Sequence, residues 1–336
     1  MTKLDIGLLG AGRIGQVHAV NIAAHPGSTL AAVSDVHAPA AEALAASVGA
    51  DVRSSDEIIA DASIDAVLVA TSTDTHSDLI EAATAAGKAV LCEKPVDLDL
   101  DRARECLTKA NATGRPVMVG FNRRFDPNFV AMKAALDAGE IGKAELLSIA
   151  SHDPAPPPAS YIEVSGGLFR DMTIHDFDMA RWLMGGPPET VTARGSSVVD
   201  TAIGRAGDID TAVVTLTYAD GRIAVIRNSR RAAYGYDQRV ELLGSDGLLE
   251  VGNVLENTLR TSTAAGVVAA RPMYFFLERY RPAFAAEWAA FVDAVARDVP
   301  PPVTLADGVA ALAVAEAATE SLRTGRTVEP DSPAAT

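Results

Sequence analysis

The sequence predicts an α/β protein of two domains: a doubly wound parallel sheet, then an α+β domain with a mostly antiparallel sheet. Three observations predict it. Short apolar runs alternate with Ala-rich segments of helical period from Leu4 to about Gly120. A glycine-rich turn joins the first run to the first helix. Alternating, β-branched segments separated by turn residues fill much of the later chain.

In the first part the runs are IGLL, TLAAVS, AVLVAT, AVLC and PVMVG. Between them AVNIAA, PAAEALAASV, SDLIEAATAA and DRARECLTKAN carry helix formers, with Pro39 suited to a first turn and Gly87 and Gly114 placed as stops. This is βαβ repetition. After Gly120 come a helix (PNFVAMKAALDAG), a strand (ELLSIASH), a proline-rich loop (PAPPPAS) and a helix following Gly166 and Gly167. TVTARGSSVV, DTAVVTLTY, GRIAVIRNS, QRVELLG and GLLEVG then alternate, with Asp-Gly turn signals at 220 and 246. Two late helices, AFAAEWAAFVDAVARD and LADGVAALAVAEAATESLRTG, precede a polar tail. The domains are expected at 1–121 and 122–330, with 331–336 as a loose tail.

A chain of 336 residues exceeds one ordinary core, and 48% hydrophobic with 22% charged residues describes a globular protein. The net charge of −15 repels nucleic-acid backbones and anionic membrane surfaces, so a small neutral partner fits better. The opening MTKLDIGLLG is unlike a secretory signal, and no apolar stretch is long enough to span a bilayer. Cys92 and Cys106 are too few for a disulfide framework and lack metal-site spacing, which leads to an expectation of reduced thiols, a cytoplasmic location and no metal.

Gly10, Gly12 and Gly15 form GAGRIG directly after a predicted strand and before a predicted helix, the setting of a dinucleotide-binding turn. The first glycine permits the tight turn, the second lets backbone approach a pyrophosphate, and the third lets helix and strand pack closely. Asp35 ends the second run about twenty residues on, where an acid accepts hydrogen bonds from ribose hydroxyls. Its charge repels a 2′-phosphate and no Arg or Lys follows in SDVHAPAA, so the expected cofactor is NAD. Arg13 and Ile14 lie inside the turn, Arg13 as a cofactor contact or an exposed turn residue. Thr71, Ser72 and His76 follow the strand AVLVA at its carboxyl end, where ligands of open sheets lie; they line the dinucleotide, or His76 steadies the next helix.

Lys94 follows the strand AVLC and precedes Pro95, at the same edge of the sheet. Asp171 and His175 are four apart in a predicted helix and share a face with the apolar stripe Leu168, Met172, Met179 and Trp182. Asp176 and Asp178 are expected on other faces, toward solvent or salt bridges.

The runs LCEKP at 91–95 and GGLFRDMTIHDFDMARW at 166–182, with GAGRIG, GFNRRFD and DGVAALAVAEAATESLRTG, resemble the Gfo/Idh/MocA oxidoreductase family, and within it the inositol 2-dehydrogenases. The resemblance implies a Rossmann domain, a second domain with a large open sheet, an active site between them, and tetramers packed through that sheet. It implies that Lys94 is catalytic, Glu93 a cofactor contact and Pro95 cis. By the same resemblance His175 accepts the substrate proton, directly or through Lys94, and Asp171 binds a hydroxyl and orients the pair. Oxidation of a secondary alcohol needs such a base and a group that stabilises developing alkoxide.

Substrate positions implied are Tyr234 and Tyr236 in AAYGYDQ, His152, Arg124, and Thr173, beside Lys94, Asp171 and His175. The tyrosines could instead be packing residues alternating along a strand, and Arg124 a brace at the domain junction. Arg123, Arg230 and Arg231 favour an acidic substrate or form ion pairs with nearby carboxylates. Where many relatives carry ThrProAsn this chain has Thr71, Ser72 and Thr73, so the nicotinamide contact there departs from the family pattern.

The expected activity is NAD-dependent oxidation of a cyclic polyol, myo-inositol to 2-keto-myo-inositol (scyllo-inosose). Alternatives are a dehydrogenase of scyllo-inositol, chiro-inositol or glucose, a non-catalytic NAD-binding sensor, and a reductive enzyme on a nucleotide-linked keto sugar. Lys94, Asp171 and His175 together oppose the sensor, and the acidic charge opposes the diphosphate substrate.

Overall fold

The computed structural model describes residues Lys3–Asp331. They form two compact units, one comprising the chain through Phe125 with Pro282–Leu312, the other Asp126–Arg281 with the chain from Ala313. The tail expected at 331–336 lies, apart from Asp331, outside the described residues.

The first unit runs β1 (Leu4–Leu9), α1 (Arg13–Ala24), β2 (Ser28–Ser34), α2 (Ala38–Val48), β3 (Asp51–Val52), α3 (Ser55–Ala60), β4 (Ala66–Val69), α4 (His76–Ala85), β5 (Ala89–Cys92), α5 (Leu100–Ala112) and β6 (Val117–Val119). All pairings in its sheet are parallel, in the order β3-β2-β1-β4-β5-β6. The chain steps outward from β1 to β3 and then returns to the other side of β1, so the switch point falls between β1 and β4. Strands β4 and β5 are buried at every residue, which is why they read as unbroken apolar runs. The short β3 and α3 were not expected, although Ser54 and Glu57 form a complete capping box at α3.

The second unit holds α6 (Pro127–Asp137), β7 (Ala144–His152), α7 (Ala159–Ser165), a π turn (Phe169–Thr173), α8 (Ile174–Met184), β8 (Thr190–Ser196), α9 (Thr201–Arg205), β9 (Thr211–Thr217), β10 (Ile223–Ser229), β11 (Asp237–Gly244), β12 (Leu248–Val251) and the hairpin β13 (Arg260–Thr263) and β14 (Gly266–Ala269). Its main sheet has the order β12-β11-β7-β10-β9-β8. Only the β7–β10 pairing in it is parallel, so the mostly antiparallel expectation holds. Inward residues Leu147, Ile149, Val214, Leu216, Ile226, Val240 and Leu242 are fully buried. Register places Leu146, Val213, Ile223, Leu243 and Leu248 together on the opposite face, each 38–49% exposed.

After α10 (Phe276–Arg279), α11 (Arg281–Arg297) packs into the first unit from Pro282 onward, and α12 (Leu305–Thr324) belongs to it as far as Leu312. This differs from the expected boundary at 121, because the apolar stripe of α11 fits the outside of α1 and β2. The Trp288 indole donates to Ser28 Oγ at 3.0 Å, and the Phe284 ring meets His18 edge-on at 5.6 Å. Burial of Phe284 and Phe291 stabilises this packing by about 1.5–3 kcal/mol each. Among the described residues no helix is long and apolar enough to cross a membrane.

Candidate active site

In the first unit the glycine turn has the form a dinucleotide needs. Gly10 has φ +104°, and a Cβ on it would lie 2.3 Å from Ala70 O; one on Gly15 would lie 2.0 Å from Gly10 O. Gly12, the N-cap of α1, would place a Cβ where nothing stands within 4 Å, and no side chain caps the helix. The N–H groups of a helix N-terminus and an open approach fit a pyrophosphate. Arg13 is exposed and Ile14 half-buried. Asp35 follows β2 and accepts from Ala11 N at 2.6 Å and His37 N at 2.8 Å. Its carboxylate is thereby fixed beside the turn, with lone pairs left for ribose hydroxyls.

Thr71 hydrogen-bonds Thr75 through their hydroxyls at 2.7 Å, and Ser72 is exposed. His76 is 1% exposed, with Nδ1 at 2.8 Å from Pro95 O and Nε2 at 3.2 Å from Thr71 O. Burial holds its pKa below the ordinary 6.5, favouring neutral imidazole. Through its two ring nitrogens His76 ties the loop after β4 to the segment after β5. The Lys94–Pro95 bond is cis, and Lys94 is half-buried. Glu93, expected at the cofactor, meets His18 Nε2 at 2.7 Å and lies against Gly120, where a Cβ would stand 3.1 Å from Glu93 Oε2. Arg124, expected at the substrate, donates to Asp307 Oδ1 at 3.1 Å within this same unit.

In the second unit Asp171 accepts from Tyr161 OH at 2.9 Å and from Arg230 Nη1 at 3.2 Å. Arg230 is 1% exposed, so its guanidinium anchors Asp171 from inside the protein. Asp171 sits in the π turn and His175 at the start of α8, rather than both in one α-helix. His175 is half-buried on a segment whose Leu168, Met172 and Met179 enter the core.

Thr173 is fully buried and its hydroxyl donates to Asn228 Oδ1 at 2.9 Å. Two expectations are corrected here. Asp176 and Asp178 are 0% and 1% exposed rather than solvent-facing, and Asp176 accepts from Asn228 Nδ2 at 2.7 Å. Tyr234 and Tyr236 lie in a turn before β11 instead of alternating along a strand. Tyr236 packs edge-on against Tyr280 at 5.8 Å and is 6% exposed; Tyr234 is 49% exposed and donates to Asp237 Oδ2 at 2.5 Å. His152 Nδ1 stands 3.4 Å from that same oxygen.

Residues 4–121 match the model of an oxidoreductase family with an NAD-binding Rossmann fold, and residues 129–250 the model of the GFO/IDH/MocA C-terminal domain. The chain belongs to the GFO/IDH/MocA oxidoreductase family. This oxidoreductase is 49% identical to the inositol 2-dehydrogenase of Rhizobium meliloti over 96% of its own length and 98% of that protein's. It superposes with a TM-score of 0.94 on the myo-inositol dehydrogenase of Corynebacterium glutamicum, 45% identical, covering 99% of this chain and 100% of that one. A scyllo-inositol dehydrogenase of Lactobacillus casei, solved with NAD(H) and scyllo-inositol, gives 0.91 at 31% identity, with 98% and 99% coverage. The oxidoreductase therefore uses NAD, and the turn and Asp35 are the residues here that suit it.

Four residues that hold candidate side chains in place went unnoticed in the sequence of this family member: His18 in the first unit, and Tyr161, Asn228 and Asp237 in the second. Asp237 alone had a nearby signal, being one residue past the AAYGY pattern. His18 and Asn228 are defined by tertiary neighbours far along the chain, and Tyr161 by Asp171 across the intervening turn.

Proposed function

We propose that this oxidoreductase oxidises a secondary hydroxyl of myo-inositol, giving 2-keto-myo-inositol, with NAD as acceptor. The observation that carries the reading is a carboxylate fixed by Tyr161 and Arg230 four positions before a half-buried histidine, in a chain of this family. When bound, NAD supplies the two-electron acceptor at its nicotinamide ring. Gly10, Gly12 and Gly15 hold the pyrophosphate, Asp35 the adenosine ribose, and Thr71 and Ser72 border the dinucleotide.

The protein's own groups manage the proton. His175 takes the hydroxyl proton, directly or through Lys94, because imidazole titrates near working pH. The Lys94 ammonium stabilises the developing alkoxide. Asp171, fixed by Tyr161 and Arg230, accepts a hydrogen bond from a neighbouring hydroxyl and orients the substrate. His152 and Tyr234 contact further hydroxyls. The names of the relatives, one of them bound to scyllo-inositol, support the polyol class; stereochemical preference is read as myo. Two buried free thiols, Cys92 and Cys106, support a reducing, cytoplasmic setting. The apolar side chains on the open face of the second sheet support self-association, with a tetramer as the proposed state.

The test is NADH absorbance with NAD or NADP and a panel of inositol isomers and aldoses. Turnover is expected with NAD and fastest on myo-inositol; no turnover on any member overturns the reading. His175→Ala and Lys94→Ala are each expected to keep NAD affinity and lose about 10²–10⁴-fold in kcat. Near-parental turnover in either removes its assigned role.

A further inference from the structure

We propose that Asp237 is a positioning residue that turns the wall formed by His152 and Tyr234 into a surface of hydrogen-bond acceptors, selecting substrates whose hydroxyls donate there. The inference rests on the reading that these two residues face the polyol. Asp237 opens β11 and lies directly across from His152, the last residue of β7. Its side chain is 1% exposed.

Four side chains converge on its two oxygens. Tyr234 OH donates to Oδ2 at 2.5 Å and His152 Nδ1 stands 3.4 Å from the same oxygen. Arg239 Nε and Asn253 Nδ2 donate to Oδ1 at 2.7 and 2.8 Å, with Arg239 Nη2 2.9 Å from Oδ2. Burial works to raise the carboxyl's pKa, but the hydrogen bonds from His152, Arg239, Tyr234 and Asn253 outweigh it and hold Asp237 well below the ordinary carboxylate range. A permanently ionised carboxylate accepts hydrogen bonds and donates none.

That fixes the polarity of both partners. Tyr234 has spent its only proton on Asp237, so its oxygen offers lone pairs alone. In the His152 tautomer that directs its Nδ1 proton at Asp237, Nε2 is left bare as an acceptor. Tyr234 is 49% exposed and the His152 side chain 22%, so both can still meet a ligand. A hydroxyl satisfies such a wall by donating. Fluorine in its place accepts only, and leaves two acceptors facing a third.

Three measurements test this. In ¹⁵N spectra of the histidine-labelled protein, His152 is expected as the Nδ1–H tautomer, and Asp237→Asn is expected to abolish that preference; an Nε2–H tautomer in the parent overturns the proposal whether or not the protein turns over a polyol. Asp237→Asn is expected to raise the polyol KM about tenfold or more, with kcat within about threefold and NAD affinity unchanged. Adding it to the combined His152→Ala and Tyr234→Phe variant should cost little more than that variant alone; an unchanged KM, or effects that multiply, overturns the positioning role. The third needs no variant: a panel of deoxyfluoro polyols with the parent protein should show at least one ring position where fluorine lowers kcat/KM about a hundredfold while others are tolerated, and equal turnover at every position overturns it. If no polyol is oxidised at all while the His152 tautomer is as expected, it is the assigned reaction that fails and not the role of Asp237.

Discussion

Glu287 shows what one side chain can report. It is fully buried on α11, and neither of its oxygens has a hydrogen-bond partner among the described residues. Burial, and then the charge of Glu93, push its pKa well above 4.5. The folded protein thus keeps a proton that the unfolded chain releases above that pH, so this residue's contribution is fully present below 4.5 and declines as pH rises toward the folded value. Glu287→Gln is therefore expected to stabilise the protein more at pH 7.5 than at pH 4.5, measured by urea denaturation at both. An offset that is the same at the two pH values would show that Glu287 does not change its charge on unfolding. His76 works in the opposite direction: being held neutral below its ordinary 6.5, it costs stability as pH falls below that value.

Among the elements, the turn entering α1 separates folding from binding. Gly12→Ala introduces a methyl into open space at an N-cap with φ −68°, so the melting temperature should barely move while NAD affinity falls about tenfold or more, as the methyl occupies the pyrophosphate's approach. Gly15→Ala instead drives a methyl against the Gly10 carbonyl, and should lower both stability, by about 1–3 kcal/mol, and NAD affinity. Calorimetry and cofactor titration distinguish the two; equal effects of both substitutions would contradict the geometry. Legibility in the sequence follows the same logic of local against distant cause. Strands β1, β2, β4, β5 and β6 declare themselves because each is a short apolar run, and the glycine turn because its spacing is mechanical. Helix α3 was legible through Ser54 and Glu57 but β3, at two residues, carries no period. Helix α7 hid behind the prolines at 154–158, of which Pro158 sits at its N-cap, where no intrahelical N–H is required. The π turn at Phe169–Thr173 leaves no trace in hydrophobic spacing, and with it went the direction of the Thr173 side chain. The pairs Glu93 with His18 and Asp237 with Tyr234 are tertiary facts, beyond the reach of any local pattern.

For the whole molecule, the open face of the second sheet gathers exposed apolar side chains. Leu146, Val213, Ile223, Leu243 and Leu248 share it, a density of apolar surface that a monomer leaves bare at a cost in solubility. Leu243→Asp combined with Leu146→Asp is expected to reduce the mass seen by sedimentation velocity to that of a smaller species; an unchanged mass with parental protein larger than a monomer would place the contact elsewhere. A different consequence concerns how the chain is made. The indole of Trp288 closes on Ser28 across 260 positions, so the amino-terminal unit must wait on the ribosome for that length of chain before α11 arrives. A fragment ending at residue 121 would carry bare apolar surface along α1, and the nascent polypeptide spends much of its synthesis in that condition, a natural client for a holdase.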